Sequence, residues 1–335
     1  MTYHSKTRLL FLTCYLIISS AANAEWSIGG DFSTYYTDDV ALFSATRRFS
    51  LEQDPTQPMV DEPEQGSDFV YEPHAYTKWL TENQLGAFQV AVDAGVYIFQ
   101  QNSAYTHGFF QIEVGQALTE QTKLEFFYDY IPDQFIGSKA LVSNQHAHTE
   151  HEEVKEKLDS HVWSLHLEHE LTEHFMLRGL ARYGIRNYDE PFAYRDIQFF
   201  TVGSHLEWVI SPDIEFLVGY HYERGYTDQA KTELYNDDIG YINHYASAEL
   251  IFHLMPKLKM KVGVDFEHND FTSPHTPDIH FNGSENVYQG ELELLYELTH
   301  TMMLKAGWQH GKRKFNYESY WVDNNNGWIG AEFHF

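Results

Sequence analysis

The feature that most constrains this chain is a period-2 alternation of apolar and polar side chains, which recurs from about residue 25 to the C-terminus. Within residues 258–266, for example, every even position is apolar, and the odd positions include Lys259 and Lys261. Such alternation places the two sets on opposite faces of a β-strand. A helix, with its period of 3.6, would spread the same residues around its whole surface. The pattern predicts an all-β protein whose strands each have one apolar and one polar face.

Short and long connections alternate between these stretches. The short ones fall near residues 82–85, 119–122, 172–174, 211–213, 255–257 and 299–301, and the long ones near residues 37–68, 132–159, 189–196, 228–238 and 272–286. Bacterial outer-membrane barrels have tight periplasmic turns and long outer loops, whereas a soluble β-sandwich has no reason to keep this order. We therefore predict that residues 25–335 form a single transmembrane antiparallel up-and-down β-barrel of about 14 strands, an even number, with both termini on the periplasmic side. The first two strands are the least regular, and residues 25–68 could instead supply a plug or an ordered lid.

The N-terminus has the organisation of a secretory signal peptide. Lys6 and Arg8 precede an apolar run over residues 9–18, and Ala22 and Ala24 flank Asn23 in a small-x-small cleavage pattern. The run is too short to span a bilayer as a helix. We predict that residues 1–24 are removed on export to the outer membrane of a Gram-negative bacterium. The single cysteine, Cys14, would leave with them, which excludes disulfides and thiolate catalysis in the mature chain.

The last strand ends on an aromatic residue. Ile329, Ala331, Phe333 and Phe335 share one face of the alternating pattern. This ending resembles the C-terminal signal that the barrel-assembly machinery reads in outer-membrane proteins. The resemblance implies that Phe333 and Phe335 form such a signal and that the assembly machinery is a partner.

The charge balance is strongly acidic. The chain has 49 Asp and Glu against 22 Lys and Arg, a net charge of -27, which becomes -29 once Lys6 and Arg8 are removed. Nucleic acid is therefore not an expected partner, because its phosphates require basic side chains. Expected partners are instead outer-membrane lipid, lipopolysaccharide and divalent cations at the external loops.

The polar face of the barrel would line the lumen, and its charges are the candidate site. Arg178, Arg182 and Arg186 recur at every fourth position and form a basic stripe. The opposing acids are Glu168, Glu170 and Glu207, and the further candidate pore-lining residues are Lys259, Lys261, Glu291 and Glu293. In one interpretation these charges form an electric constriction that selects solutes. In the other they pair across the wall and fill the interior, since barrels of about 14 strands lie between filled eight-stranded and open 16-stranded ones.

Histidine is abundant, with 20 in the chain, and three lie close together in a predicted loop. His146, His148 and His151 lie among Glu150, Glu152 and Glu153, and imidazole with carboxylate suits Zn, Cu or Ni. The alternative is a solvated surface helix over residues 150–158. No other metal and no cofactor is expected. No local motif of an outer-membrane lipase or protease is present, so we do not expect an enzyme.

Three segments carry a resemblance to a class of proteins. Residues 182–188 (RYGIRNY), 194–196 (YRD) and 220–226 (YHYERGY) resemble the strand–loop–strand segments of porin-like and surface-export-associated Gram-negative outer-membrane β-barrels. The resemblance implies a channel for passive, charge-selective passage of small hydrophilic solutes or an exported glycan. A non-conducting structural or surface-interaction barrel acting through acidic, His-rich loops is the main alternative, and a lipid-modifying enzyme is a further one.

Overall fold

The computed structural model describes residues 24–46, 58, 65–142 and 151–335. Its 14 strands form one closed sheet in which each strand pairs antiparallel with the next and β1 closes on β14. The predicted all-β, up-and-down barrel is thereby confirmed. The predicted signal peptide lies outside the described residues except for Ala24.

The strand bounds follow the predicted connections closely. The strands are β1 (Glu25–Thr37), β2 (Asp68–Asn83), β3 (Gly86–Phe99), β4 (His107–Thr119), β5 (Thr122–Val142), β6 (His151–Thr172), β7 (Phe175–Tyr188), β8 (Ile197–Ser211), β9 (Ile214–Thr227), β10 (Tyr241–Met255), β11 (Leu258–Phe271), β12 (Ser284–Thr299), β13 (Met302–Phe315) and β14 (Val322–His334). Two seven-residue helices lie in the connections, α1 (Val40–Thr46) after β1 and α2 (Gln229–Tyr235) after β9. No helix among the described residues is long and apolar enough to cross a membrane.

The outer face of the barrel is apolar and the inner face is polar. Outward-pointing Val202, Val264 and Ile329 are between 56% and 68% exposed, while inward-pointing Arg182 and Glu223 are buried. A water-soluble sheet would bury the first group and expose the second. The inversion fits a barrel surrounded by hydrocarbon, in which closure also pairs the backbone groups of every strand.

The two ends of the barrel differ. At one end, tight turns such as the one between Asn83 and Gly86 join the strands, and β1 begins and β14 ends there. We call it the short-turn end. The other end, the long-loop end, carries both helices and the 3-10 turns at Ser103–Tyr105 and Ala193–Arg195.

The connection expected over residues 132–159 is much shorter than the sequence predicted. β5 continues to Val142 and β6 already begins at His151, so these two strands project beyond their neighbours. The helix considered for residues 150–158 is wrong, because β6 is extended from His151 onward. The pairing shifts register near Asp133, whose φ is +51°, and again near Ile136. These bulges interrupt the alternation, which is why the sequence reads as a loop there.

The apolar core lies at the long-loop end, not along the barrel axis. Several of its members are the last inward residues of their strands, such as Phe99, Tyr188, Phe271 and Phe315. Helix α1 adds Val40, Ala41 and Phe43, each no more than 2% exposed. Within the described part of this region, β1 and β2 are strands of the barrel wall, and α1 covers part of the outer mouth beside them.

Candidate functional site

A cavity of about 720 Å³ lies inside the barrel along the inner faces of β1–β7, β13 and β14. We call it the lumen cavity. Its lining runs from Lys123, Arg178 and Glu332, which are close to the short-turn end, to Phe43 of α1 at the long-loop end. The cavity therefore spans most of the barrel height and ends against the apolar core.

Opposite charges are paired around the wall of the lumen cavity. Arg178 contacts Glu168 through both Nη2 (2.5 Å) and Nε (2.7 Å), as their register across β6 and β7 requires. The other ion pairs are Lys305 with Asp31 (2.5 Å) and Lys123 with Glu125, and His74 Nε2 forms a hydrogen bond with Asp93 (2.5 Å). The wall is thus highly polar, but most of its charges are locally compensated.

Arg182 lies deeper in the same wall. Its Nε donates to Ser164 Oγ at 3.2 Å, and only 7% of the residue is exposed. Asp129, which accepts from Gln111 Nε2 at 2.6 Å, also lines the cavity. Arg178 and Arg182 together place a basic edge on the β7 side of the cavity.

Aromatic rings cover the opposite side of the lumen cavity, on β2, β3 and β4. Their centroid distances are 6.1 Å for His74–Tyr76, 5.7 Å for His74–Phe109, 5.4 Å for Phe109–Tyr97 and 5.1 Å for Tyr97–His107. We call these five rings the aromatic column. It forms a continuous track of ring faces and edges beside the charged wall.

The third arginine of the predicted stripe does not reach the lumen cavity. Arg186 is 1% exposed, its Nη1 donates to Tyr241 Oη at 3.3 Å, and its guanidinium lies 4.5 Å from the ring centre of Phe199. It belongs to the core at the long-loop end. The stripe is interrupted because inward positions near the strand ends are covered by the connections, which alternation alone does not reveal.

The remaining predicted lining residues occupy other parts of the inner face. Glu170 is exposed near the short-turn end, and Glu207 faces inward from β8. Lys259, Lys261, Glu291 and Glu293 face inward from β11 and β12, outside the lining of the lumen cavity. Lys261 is in register with Glu293, whose Oε1 also accepts from Trp328 Nε1 at 3.0 Å.

The inner face of β8–β13 is filled by hydrogen-bonded side chains. Glu223 accepts from Thr201 and Tyr241, and Tyr245 donates to Asp265 at 2.8 Å. His205 and His221 stack, with their Nε2 atoms 2.6 Å apart. The inner face thus has two sectors, one filled by hydrogen-bonded polar groups and one that borders the lumen cavity, and the electric constriction stays a prediction.

A buried ion-pair cluster ties the connections together at the long-loop end. Arg195, 3% exposed, donates through Nη1 to Glu156 (2.8 Å) and through Nε and Nη2 to both oxygens of Asp237 (2.8 and 3.1 Å). Tyr194 Oη also donates to Asp237 at 3.2 Å. These contacts join the projecting part of β6 to the β7–β8 and β9–β10 connections, and we call them the Arg195 cluster.

The electrostatics of the Arg195 cluster follow from this packing. Burial opposes ionisation of Asp237, but its hydrogen bond with His280 and the charge of Arg195 outweigh that effect and hold its pKa well below the usual range. Burial and the charge of Asp237 raise the pKa of Tyr194. Burial also opposes ionisation of Asp278, but hydrogen bonds from His280, from the Asp238 backbone and from Ser273 lower its pKa.

Two chemical alternatives for this region can be weighed. Asp237, Asp278 and His280 could offer three metal ligands within 4.8 Å of one another, but Arg195 already holds both oxygens of Asp237. Ser273 donates to Asp278 at 2.5 Å, and His280 Nδ1 lies 3.0 Å from the same carboxylate. The carboxylate therefore stands between hydroxyl and imidazole, whereas a serine hydrolase needs the imidazole in that place. The region has the features of a structural network.

The proposed metal ligands His146 and His148 lie outside the described residues. The backbone of His151 begins β6, and its side chain is likewise outside the described part. A metal at these three histidines stays a prediction.

Sequence reasoning missed a large part of the cavity wall. Asp31 and the rings of His74, Tyr76 and Phe109 lie on β1, β2 and β4, and no basic or acidic run marks them. The alternation along each strand could have identified them as inward-facing residues. Asp31 is followed by outward-facing Phe32, and His74 is followed by outward-facing Ala75.

Neither a family model nor a curated protein sequence matches this chain. Its structure is similar to that of the outer membrane channel DcaP of Acinetobacter baumannii, with a TM-score of 0.51, 9% identity and coverage of 94% of this chain and 99% of that chain. OmpT of Vibrio cholerae, an outer membrane protein, aligns with a TM-score of 0.48 at 10% identity over 93% and 99% of the two chains. An anion-selective porin from Comamonas acidovorans aligns with a TM-score of 0.43 at 8% identity, over 93% and 99%.

The fold match to DcaP agrees with the closed barrel, and the apolar outer face and unequal ends of this chain are those of a membrane-spanning barrel. The chain is a β-barrel of the bacterial outer membrane. The short-turn end faces the periplasm and the long-loop end faces outward.

Proposed function

We propose that this protein is an outer-membrane channel through which small hydrophilic solutes pass passively along the lumen cavity. The observation that carries the proposal is the cavity itself, about 720 Å³ of polar-lined space inside a closed membrane barrel. A closed barrel can be stable without such a cavity, since side chains on the inner face of β8–β13 fill their part of the interior.

The wall chemistry favours polar solutes with little net charge. Paired groups such as Arg178 with Glu168 offer donors and acceptors side by side while compensating one another's charge. The aromatic column adds apolar ring faces along the same path. Sugars combine hydroxyl groups with apolar ring faces, so a small saccharide or glycan segment fits this lining.

We propose a cation preference among small ions. The acids that line the cavity, Asp31, Glu72, Asp93, Glu125, Asp129, Glu168 and Glu332, outnumber its bases Lys123, Arg178, Arg182 and Lys305. Rings of acidic side chains favour cations in a narrow pore. Arg178 and Arg182 oppose this preference on the β7 side.

A non-conducting structural barrel is the second candidate, and the packing of the outer mouth favours it. Phe43 of α1 packs on Tyr35 and Phe99, with ring centroids 5.3 and 6.0 Å away, and closes the outer end of the lumen cavity on that side. In this state a solute would enter the cavity from the periplasm and would cross only when α1 moves.

Planar-bilayer recording of the refolded mature chain tests the proposal. We expect small ohmic steps with a cation preference in a salt gradient. Replacing Arg178 and Arg182 together (Arg178→Ala, Arg182→Ala) should raise the cation-to-anion permeability ratio several-fold, because the acidic wall then acts unopposed. Lys257→Ala, in an exposed periplasmic turn, is the matched control and should leave the ratio unchanged.

Two results would contradict the proposal, the first by excluding conduction and the second by excluding the lumen cavity as the path. A correctly folded barrel that never conducts, even after the packing of α1 is loosened by Phe43→Ala, would favour the structural candidate. Conductance that is unaffected by the two arginine substitutions would place the solute path away from the lumen cavity.

A further inference from the structure

The lipid-facing side of the barrel carries an unusual group of basic and polar residues near its outer rim. Arg224, His244, His268 and Lys312 each lie three residues from the long-loop end of β9, β10, β11 and β13, on outward positions. With Asn286 and Lys314 they form what we call the basic outer patch. It lies between the exposed apolar surface of the barrel and the long-loop end, which is where the head groups of the outer leaflet are expected.

The strand pairing brings most of these side chains into one row. Tyr222 pairs with His244, His244 with His268, His268 with Asn286, and Asn286 with Lys314. Directly opposed residues on one face lie about 5 Å apart. The row is therefore a continuous polar surface across five neighbouring strands.

The two ends of the patch have no acidic partner among the residues that the structure describes. Arg224 contacts only the ring of Tyr226, whose centre is 4.8 Å from its guanidinium carbon, and Lys314 has no ion pair there. Two carboxylates within the patch contact its basic side chains and would compete with a bound anion. Asp270 lies 3.3 Å from His268 Nε2, and Asp323 lies 3.9 Å from Lys312 Nζ.

The patch has no counterpart on β1–β4. On β1–β4 the outward residues at the same end include Tyr36, Phe69, Ile98 and Gly108, none of which is charged. The contrast with the whole chain is also large, since its net charge is -27. Uncompensated arginine and lysine at the lipid boundary cost desolvation unless an anion meets them.

Below and beside the patch, the surface suits acyl chains and sugars. Phe266, Leu292 and Leu294 form exposed apolar surface beneath it. Tyr288 and Trp321, with ring centroids 5.7 Å apart, stand at its edge. An occupant needs acyl chains, a polar sugar-like head and negative charge at the height of the outer leaflet.

We propose that the basic outer patch binds the phosphorylated glycolipid of the outer leaflet, with Arg224 and Lys314 contacting its phosphates. The chemistry is charge-assisted hydrogen bonding of phosphate by arginine and lysine at a lipid boundary. Aromatic rings at the edge contact the sugar head, and the apolar belt contacts the acyl chains. This binding is independent of conduction through the lumen.

Competitive lipid binding to the full mature protein in detergent tests the proposal. The probes are bisphosphorylated lipid A, monophosphorylated lipid A and phosphatidylglycerol, and bound lipid is read by native mass spectrometry. We expect preference for the bisphosphorylated form. A basic residue near an anionic surface contributes on the order of 1 kcal/mol, or about fivefold, so Arg224→Ala with Lys314→Ala should weaken binding roughly 25-fold. Lys257→Ala, on the same wall at the periplasmic end, should have no effect.

A second variant keeps the test decisive if the double substitution impairs folding. Asp323→Asn removes a competing acid beside Lys312, so we expect it to strengthen lipid A binding several-fold. Equal binding of phosphatidylglycerol and lipid A would overturn the proposal, as would a folded double variant with unchanged affinity or an Asp323→Asn variant with no gain.

Discussion

At the scale of single residues, Arg195 has the clearest structural role. Its guanidinium contacts two carboxylates, those of Glu156 and Asp237, and the side chains of Arg195 and Glu156 are 3% and 2% exposed. Removing one partner of a buried pair leaves uncompensated charge and typically costs about 3–5 kcal/mol. We expect Arg195→Met to lower the thermal unfolding midpoint and to loosen the outer connections, measured by circular dichroism and limited proteolysis. Lys231→Met, which breaks the more exposed pair with Asp196 (3.7 Å), should cost less than about 1 kcal/mol. Equal effects of both variants would contradict the assignment.

The same cluster predicts how the outer mouth responds to pH. The pKa of Asp237 is lowered by His280 and Arg195, and that of Asp278 is also lowered. A carboxyl with a depressed folded-state pKa stabilises the fold above its unfolded pKa of about 4, and loses that contribution only as pH falls through the lower folded value. We therefore expect proteolytic protection of the outer connections to persist unchanged from pH 7 to pH 4. Loss of protection between pH 6 and pH 5 would show that other groups control the mouth.

At the scale of elements, α1 determines how closed the lumen cavity is. Phe43 is 2% exposed and packs between Tyr35 and Phe99. Phe→Ala in a packed core costs about 3–5 kcal/mol, so Phe43→Ala should shift α1 toward a displaced state and raise the mean conductance. Leu234→Ala in α2, a helix of the same length, is the control because Leu234 is 78% exposed and should leave conductance unchanged. If the wild-type protein conducts and Phe43→Ala leaves its mean conductance unchanged, α1 is not the barrier.

Phe335, which follows the last strand, allows the effect of a side chain on stability to be measured separately from its effect on assembly. Phe335 is 81% exposed, and its backbone pairs with Ile28 through two hydrogen bonds of 2.8 and 3.1 Å. Its side chain therefore contributes little packing. We expect Phe335→Ser to refold with unchanged stability but to accumulate poorly in the outer membrane, because the assembly signal is lost. Trp26→Ser, which removes a similarly exposed aromatic ring on β1, should accumulate normally. Equal loss in both variants, measured by quantitative blotting of outer membranes, would indicate a lipid-contact effect instead.

The strands also show how much of the fold could be predicted from the sequence. Alternation and turn spacing predicted the strands, since both follow from backbone geometry and the lipid around it. The predicted end of β5 was early because bulges near Asp133 and Ile136 disturb its alternation, and the predicted start of β6 was late, at residue 160, because residues 151–159 are nearly all charged or polar. The contact between Arg178 and Glu168 could be predicted from the sequence, because it depends only on the register of the β6–β7 hairpin. The burial of Arg186 could not be predicted, because it depends on how connections far apart in sequence fold over the mouth.

At the scale of the whole molecule, the barrel is asymmetric along its axis. Its apolar core blocks much of the outer mouth, while the lumen cavity reaches toward the periplasmic turns. The only cysteine, Cys14, lies in the predicted signal peptide, so an introduced cysteine should be the single thiol of the mature chain. Access to the cavity from each side can then be measured directly.

We expect Asp93→Cys, within the lumen cavity, to react with a membrane-impermeant sulfonated maleimide at least tenfold more slowly in intact cells than Tyr317→Cys. Asp93 lines the cavity beside His74, and Tyr317 is 49% exposed at the long-loop end. Opening the periplasm to the reagent should accelerate the Asp93→Cys reaction and leave the Tyr317→Cys reaction unchanged. Combining Asp93→Cys with Phe43→Ala should accelerate labelling from outside, because displacement of α1 connects the cavity to the surface. Equal rates for the two single variants in intact cells would mean that the outer mouth is open, and the asymmetry of the barrel would then have no consequence for transport.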